Sequence, residues 1–178
     1  HYINEHRTLY NIPPHWKRAS LVCLHKKGNT EDVKNYRPIA LLESVYKIFA
    51  IAINDLLAPT LQYGIPDSQF GFRRSSGTTE NLLLINHILK KSNFPLCLAL
   101  IDQSKAFDRI YFEAVYTELE RWGVPPNVLS SLKQITIGNT ITIKIKNTFS
   151  SIVHLFRGVF QGSPLSPVLW DIGMTAWI

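Results

Sequence analysis

L-C-L-A-L-I-D-Q-S-K-A-F-D, residues 96–108, is the stretch from which the rest of this chain is most usefully read. Leu96 to Ile101 is a continuous apolar run, the pattern of a central strand buried on both faces, and Asp102 stands where such a strand would emerge. Ala106 to Trp122 then reads as a helix, stopped by Gly123 and Pro125. A carboxylate at the exposed end of a buried strand can hold a hard cation, because Mg²⁺ takes oxygen ligands and few protein groups. It can equally cap the following helix, and for an arbitrary Asp after a strand that role is the commoner one. Lys105, Ala106 and Phe107, with a second acid at Asp108, shift the balance towards a ligand site.

Upstream, the strand-like run Ala19 to His25, the basic turn Lys26-Lys27-Gly28-Asn29 and the segment around Tyr36-Arg37-Pro38 predict a hairpin with basic residues near its tip. From Leu41 to Leu57 the apolar residues recur at helical spacing, and Pro59 is expected to end that helix. A Gly-, Pro- and Ser-rich loop over 63–77 carries Arg73 and Arg74. Thr78 or Thr79 can cap a second helix, with Glu80 in its first turn and Lys90 and Lys91 in its last.

Downstream, a helix is expected from Pro126. Thr140 to Lys146 alternates strictly, as a half-exposed strand does, and Ile152 to Phe156 can pair with it around Asn147 to Ser150. Then comes R-G-V-F-Q-G-S-P-L-S-P, residues 157–167. Gly158 and Gly162 permit unusual backbone angles or close approach of a ligand, and Gln161 both donates and accepts hydrogen bonds. An ordinary loop entering a helix explains the segment equally well when it is taken singly. Strands and helices mix without regular alternation, which predicts an α+β fold.

The bulk numbers agree with a globular chain. An apolar fraction of 46% and a charged fraction of 18% argue against disorder. Nineteen basic against 13 acidic residues leave a formal charge of +6, which suits a phosphate-rich partner without requiring one. Cys23 and Cys97 are too few for a disulfide framework or zinc site and read as buried thiols of a reducing compartment. No apolar run is expected to approach the roughly 20 residues that span a bilayer. Trp16, Trp122 and Trp170 read as core anchors, and Lys144 and Lys146 as the wet face of a strand.

Together the motifs resemble a known family. Asp102 to Asp108 resembles the first palm motif of reverse transcriptases, an aspartate followed by A-F-D. Arg157 to Pro167 resembles the second, R-G-V-x-Q-G-x-x-L-S-P. Upstream, H-K-K-G (25–28), N-Y-R-P-I-A-L-L (35–42) and D-S-Q-F-G-F-R (67–73) resemble the fingers of the non-LTR, LINE-type retrotransposon branch, in the same order. The likeness runs from about Pro13 to Trp170, and several motifs in order are far more specific than one.

The resemblance implies right-hand polymerase fingers and an incomplete palm, with an antiparallel sheet packed on helices. Residues 1–95 would be a fingers-like region with the start of the palm helices, and residues 96–178 a partial palm. The implied reaction adds deoxynucleotides to a primer 3′-end on an RNA template by two-metal phosphoryl transfer. Asp102 matches the aspartate that binds both Mg²⁺ ions, with the carbonyl of Gln103 as a further ligand. Phe107 matches the aromatic gate beneath the sugar, which would reject a 2′-hydroxyl. The amides of Lys105 and Ala106 would face the triphosphate, and Gln161 and Gly162 would contact the incoming nucleotide and the template. Arg37 matches a fingers arginine that clamps the triphosphate with its rigid donor fork. The resemblance does not choose between Lys26 and Lys27 as its assistant. Arg73 and Arg74 are candidates for template phosphates, and Asp108 for organising the helix start.

The implied partners are an RNA template, a DNA primer, deoxynucleoside triphosphates and the remainder of a parent polyprotein with the rest of the palm, a thumb and an endonuclease. No membrane is implied, and the setting is intracellular, in the nucleus. The family's third palm motif, an x-Asp-Asp turn, is not found in the sequence, so a fragment inactive by itself is expected. Two other readings compete: a non-catalytic nucleic-acid-binding remnant, and the reverse transcriptase-like domain of a group II intron maturase.

Overall fold

The computed structural model describes residues 12–73 and 76–175. Arg18–His25 (β1) and Tyr36–Leu41 (β2) form the expected antiparallel hairpin, with Ser20 opposite Leu41 and His25 opposite Tyr36. Its tip is held by local polar bonds. Asn35 Nδ2 donates to the Asn29 carbonyl at 2.9 Å, and the Tyr36 hydroxyl donates to the Thr30 carbonyl at 2.7 Å.

Ser44–Gly64 (α1) buries Tyr46, Phe49, Ala50, Ile53 and Leu57 at helical spacing. Pro59 does not end this helix but lies inside it. The carbonyl it leaves without an amide is that of Asp55, an exposed residue. Contrary to the sequence reading, α1 is by length and composition apolar enough to cross a membrane. Its apolar face, however, packs on Pro126–Thr136 (α4) and Ser166–Thr175 (α5), and Phe112–Arg121 (α3) packs on the same two helices. Trp16 joins this core with its ring 5.4 Å from that of Phe49. Trp122 packs against it partly buried, near Gly64.

The sheet is mixed. Thr140–Ile145 (β3) lies parallel to β1, with Arg18 opposite Thr140 and Val22 opposite Lys144. It pairs antiparallel with Val153–His154 (β5), as expected, and also with Thr148–Phe149 (β4), which lies within the stretch expected to be the turn. The expected antiparallel sheet is therefore corrected at one seam. The long helical connection between β1 and β3 supplies the crossover that a parallel pair needs.

Thr78–Lys91 (α2) begins as expected, though Gly77 takes the capping position without a side-chain cap bond. The largest departure follows it. Residues 95–103 form no strand, and Leu100 and Ile101 are 87% and 93% exposed. A buried strand needs hydrogen-bonded neighbours and covered faces, and among the described residues this segment finds neither. Cys97 lies within it and Cys23 on the open side of β1, so both thiols are exposed rather than buried. The predicted helix from Ala106 is likewise divided. Phe107–Arg109 is a 3-10 turn, and α3 starts only at Phe112. The carbonyls of Phe107 and Ile110 accept from the amides of Val159 and Gly158, so they are not free to propagate a helix.

Candidate active site

The loop 157–166 is the junction to which the Phe107 turn and β2 are tied. Gly158 N donates to the Ile110 carbonyl at 2.9 Å and Val159 N to the Phe107 carbonyl at 3.0 Å. On its other flank, Ala40 N donates to the Gln161 carbonyl at 2.7 Å, tying the loop to β2 three residues along from Arg37. Underneath, the Ser163 hydroxyl lies 3.0 Å from the Tyr46 hydroxyl of α1, and the Ser166 hydroxyl donates to the Phe160 carbonyl at 2.7 Å. Burial pushes the Tyr46 phenol up to about 12, against the opposing pull of its bond to Ser163. Tyr46 therefore stays neutral and acts as a fixed strut.

The two glycines of this loop are required by contact as well as by angle. Gly158 has φ 82°, and Gly162 has φ 123° with the Ala40 carbonyl oxygen 2.8 Å from where a Cβ would sit. Backbone from β2 and from the 107–110 turn thus approaches the loop as closely as glycine alone allows.

Not every predicted residue is drawn in. The backbones of Phe107 and Gln161 are tied directly to the junction, Gly162 lies in it, and Ala106 is half-buried beside it. Arg37 is exposed on β2. Asp102, Gln103 and Lys105 are exposed, and the Asp102 carboxylate makes no side-chain hydrogen bond or ion pair among the described residues. Lys105 adopts φ 54°, at the bend between the extended segment and the 3-10 turn. Arg73 donates to the Pro66 carbonyl at 2.9 Å and pairs with Asp67 at 3.4 Å, so its guanidinium is turned onto its own loop. Arg74 lies outside the described residues. Lys26 and Lys27 are exposed at the hairpin.

One group escaped the sequence reading. Asp171 on α5 is 1% exposed, and Gln69 Nε2 donates to its Oδ1 at 2.8 Å. Burial pushes its carboxyl up to about 7, outweighing the Gln69 bond and the nearby Arg73 charge, both of which favour ionisation. A raised folded-state value means that the contribution of this group is fully present below the ordinary carboxylate range. It is lost as pH rises towards about 7. Asp171→Asn keeps an oxygen for Gln69 and cannot ionise. It is therefore expected to be stabilising at pH 8, on the order of 1–3 kcal/mol, and close to neutral near pH 4. Urea unfolding of both proteins at the two pH values reads the difference. Only an acid inside the apolar run after Pro167 could have signalled this residue. Its partner lies in a loop 102 residues away.

As to a metal, Asp102 and the Gln103 carbonyl are hard oxygen donors of the kind Mg²⁺ takes. Among the described residues no three His, Cys, Asp or Glu side chains converge, so these donors do not make up a two-ion set by themselves.

In this α+β chain the hairpin, the 3-10 turn at Phe107 and a glycine-pinned loop thus meet at one junction. Comparison with known proteins is specific: residues 24–178 match the model of the family described as reverse transcriptase (RNA-dependent DNA polymerase). The chain belongs to that family. It is 32% identical over 169 residues to the probable RNA-directed DNA polymerase from transposon BS of Drosophila melanogaster. That match covers 90% of this chain and 18% of the relative. It is 35% identical over 167 residues to the RNA-directed DNA polymerase from mobile element jockey of the same species, with the same coverage of each. Against the transposon TX1 149 kDa protein of Xenopus laevis the identity is 30% over 170 residues, covering 94% of this chain and 13% of the relative. The chain thus spans under a fifth of the length of these curated relatives.

Proposed function

We propose that this chain is the fingers (about 1–95) and the first part of the palm (about 96–178) of an RNA-directed DNA polymerase. In this reading the polymerase extends a DNA primer on an RNA template with deoxynucleoside triphosphates. The observation that carries the proposal is the pair of backbone bonds Val159–Phe107 and Ala40–Gln161. They gather at one loop the segments bearing Phe107, Arg37 and Gln161. Arg37 clamps the triphosphate, and the amides of Lys105 and Ala106 face it. Phe107 supports the sugar and excludes a 2′-hydroxyl. Gln161 and Gly162 meet the nucleotide and template, and the role of contacting template phosphates is kept for Arg74, since Arg73 is engaged by its own loop. Asp102 and the Gln103 carbonyl would hold Mg²⁺, which when bound would supply activation of the primer hydroxyl and charge stabilisation of the triphosphate. Further carboxylates come from elsewhere in the parent polyprotein, which works on nucleic acid in the nucleus.

RNA-templated primer extension by the full-length parent tests this reading. Incorporation of deoxynucleotides is expected. Tight template binding without any extension would instead mark a remnant that keeps its surface and has lost its chemistry. Binding itself carries a second expectation, which follows from the charge of +6. Affinity for a primer–template duplex should fall at least about tenfold between roughly 50 and 200 mM salt, as phosphate contacts exchange with counterions. Salt-independent binding would separate the basic surface from template recognition.

A further inference from the structure

The ring of Phe107 does not stand alone. Phe72, from the loop after α1, lies edge-on to it at 6.1 Å, and Trp170 of α5 lies 6.4 Å from it. Phe72 and Trp170 are themselves edge-to-face at 6.2 Å, so the three rings form a closed triangle within the range of favourable aromatic contact. Phe72 is held there against its backbone preference, with φ 57°, a left-handed angle that bulky residues rarely adopt. Such a conformation persists only where the surroundings over-determine it. Those surroundings are present. Gln69 is bonded to Asp171, the neighbour of Trp170, and Arg73 closes the loop onto the Pro66 carbonyl. Core burial does not explain the arrangement, because Phe72 remains 59% exposed. What its ring does is abut Phe107 and Trp170.

We propose that Phe72 is a positioning residue for the Phe107 ring. The 65–73 loop, braced on α5, thereby sets how strictly deoxynucleoside triphosphates are selected over ribonucleoside triphosphates. This rests on the reading of Phe107 as the sugar gate. Without the Phe72 edge, the Phe107 ring gains freedom to swing away from a 2′-hydroxyl, while its backbone stays pinned by Val159. Selection weakens and the chemistry with the correct nucleotide is spared.

The test uses the full-length parent and single-nucleotide incorporation of a deoxynucleotide and its matching ribonucleotide. Phe72→Gly removes the ring and suits the left-handed backbone, so it does not strain the loop. It should lower the ratio of the two kcat/KM values about tenfold, with deoxynucleotide kcat changed less than about threefold. Phe72→Tyr should restore the ratio. Phe107→Val, the gate control, should lower it further than Phe72→Gly. An unchanged ratio in Phe72→Gly beside a lowered one in Phe107→Val overturns the positioning role and leaves the gate standing. An unchanged ratio in Phe107→Val sinks the gate reading and this inference with it. Loss of both activities in Phe72→Gly also overturns the inference, since the ring would then serve folding or chemistry and not selection.

Discussion

Asp102→Asn should reduce RNA-templated primer extension by the full-length parent about a thousandfold or more while leaving its folding stability unchanged. The two halves of this expectation have different sources. Stability is spared because the carboxylate is exposed and makes no side-chain bond among the described residues, and surface substitutions of that kind fall within about 0.5 kcal/mol. Activity is lost, on the proposed reading of Asp102 as a Mg²⁺ ligand, because replacing one carboxylate oxygen by an amide removes a full negative charge from that position. Several kcal/mol of barrier correspond to a thousandfold or more in rate. Asp108→Asn is the matched control. Asp108 sits in the 3-10 turn six residues on, and its amide bonds to the Lys105 carbonyl at 3.0 Å. Its loss should cost far less activity. Equal effects of the two substitutions would mean that Asp102 has no special part.

Gly158→Ala should destabilise the protein by roughly 2–4 kcal/mol and weaken activity through the same displacement. Its φ of 82° alone costs an L-residue about 1–2 kcal/mol. A Cβ there would also lie 2.8 Å from the Asp108 carbonyl oxygen and 2.9 Å from the Asp108 Cα. These are backbone atoms that cannot swing aside, so crowding adds about 1–3 kcal/mol. Relief would come only by moving the 107–110 turn away from the loop, which stretches the bonds from Gly158 and Val159. Gly123→Ala isolates the first contribution, because φ there is 78° and nothing lies within 4 Å of the added carbon. Denaturant unfolding should therefore rank Gly158→Ala well below Gly123→Ala in stability. Equal losses would show that close approach of the turn contributes nothing.

What the sequence made legible was mostly local. The hairpin around Gly28 and the start of α4 at Pro126 came from turn and cap residues that act over a few positions. The buried face of α1 came from a period that one helix suffices to set. Pro59 was misread because its helix-breaking effect depends on whether Asp55 stays exposed, which only the fold decides. Leu96 to Ile101 was misread for the opposite reason. The run has the composition of a buried strand, but burial needs partners at long range, and the described residues supply none. The parallel seam between β1 and β3 left no trace in either strand, since alternation reports faces and not neighbours.

The candidate site divides the same way. Asp102, Phe107, Gln161 and Gly162 were singled out from motif order. The bonds that tie Phe107 and Gln161 to one junction, Val159 to Phe107 and Ala40 to Gln161, join segments 52 to 121 residues apart by residue number and could not be read from spacing. Asp171 and Phe72 were missed because each gains meaning only from a distant partner: Gln69 for the first, Phe107 and Trp170 for the second.

In the proposed function, Arg37, the turn carrying Phe107 and the Gln161–Gly162 loop surround one incoming nucleotide. Photo-crosslinking tests it most directly, using a deoxynucleoside triphosphate that carries a short-range photoreactive group on its base or phosphate. The probe is bound to the full-length parent with primer and template, and the labelled peptides are mapped. Label on peptides containing Arg37, Phe107 and Gln161, competed by the unmodified deoxynucleotide, is the predicted result. Label confined to α4 or to the β3–β4 turn, with none at those three, would contradict the account.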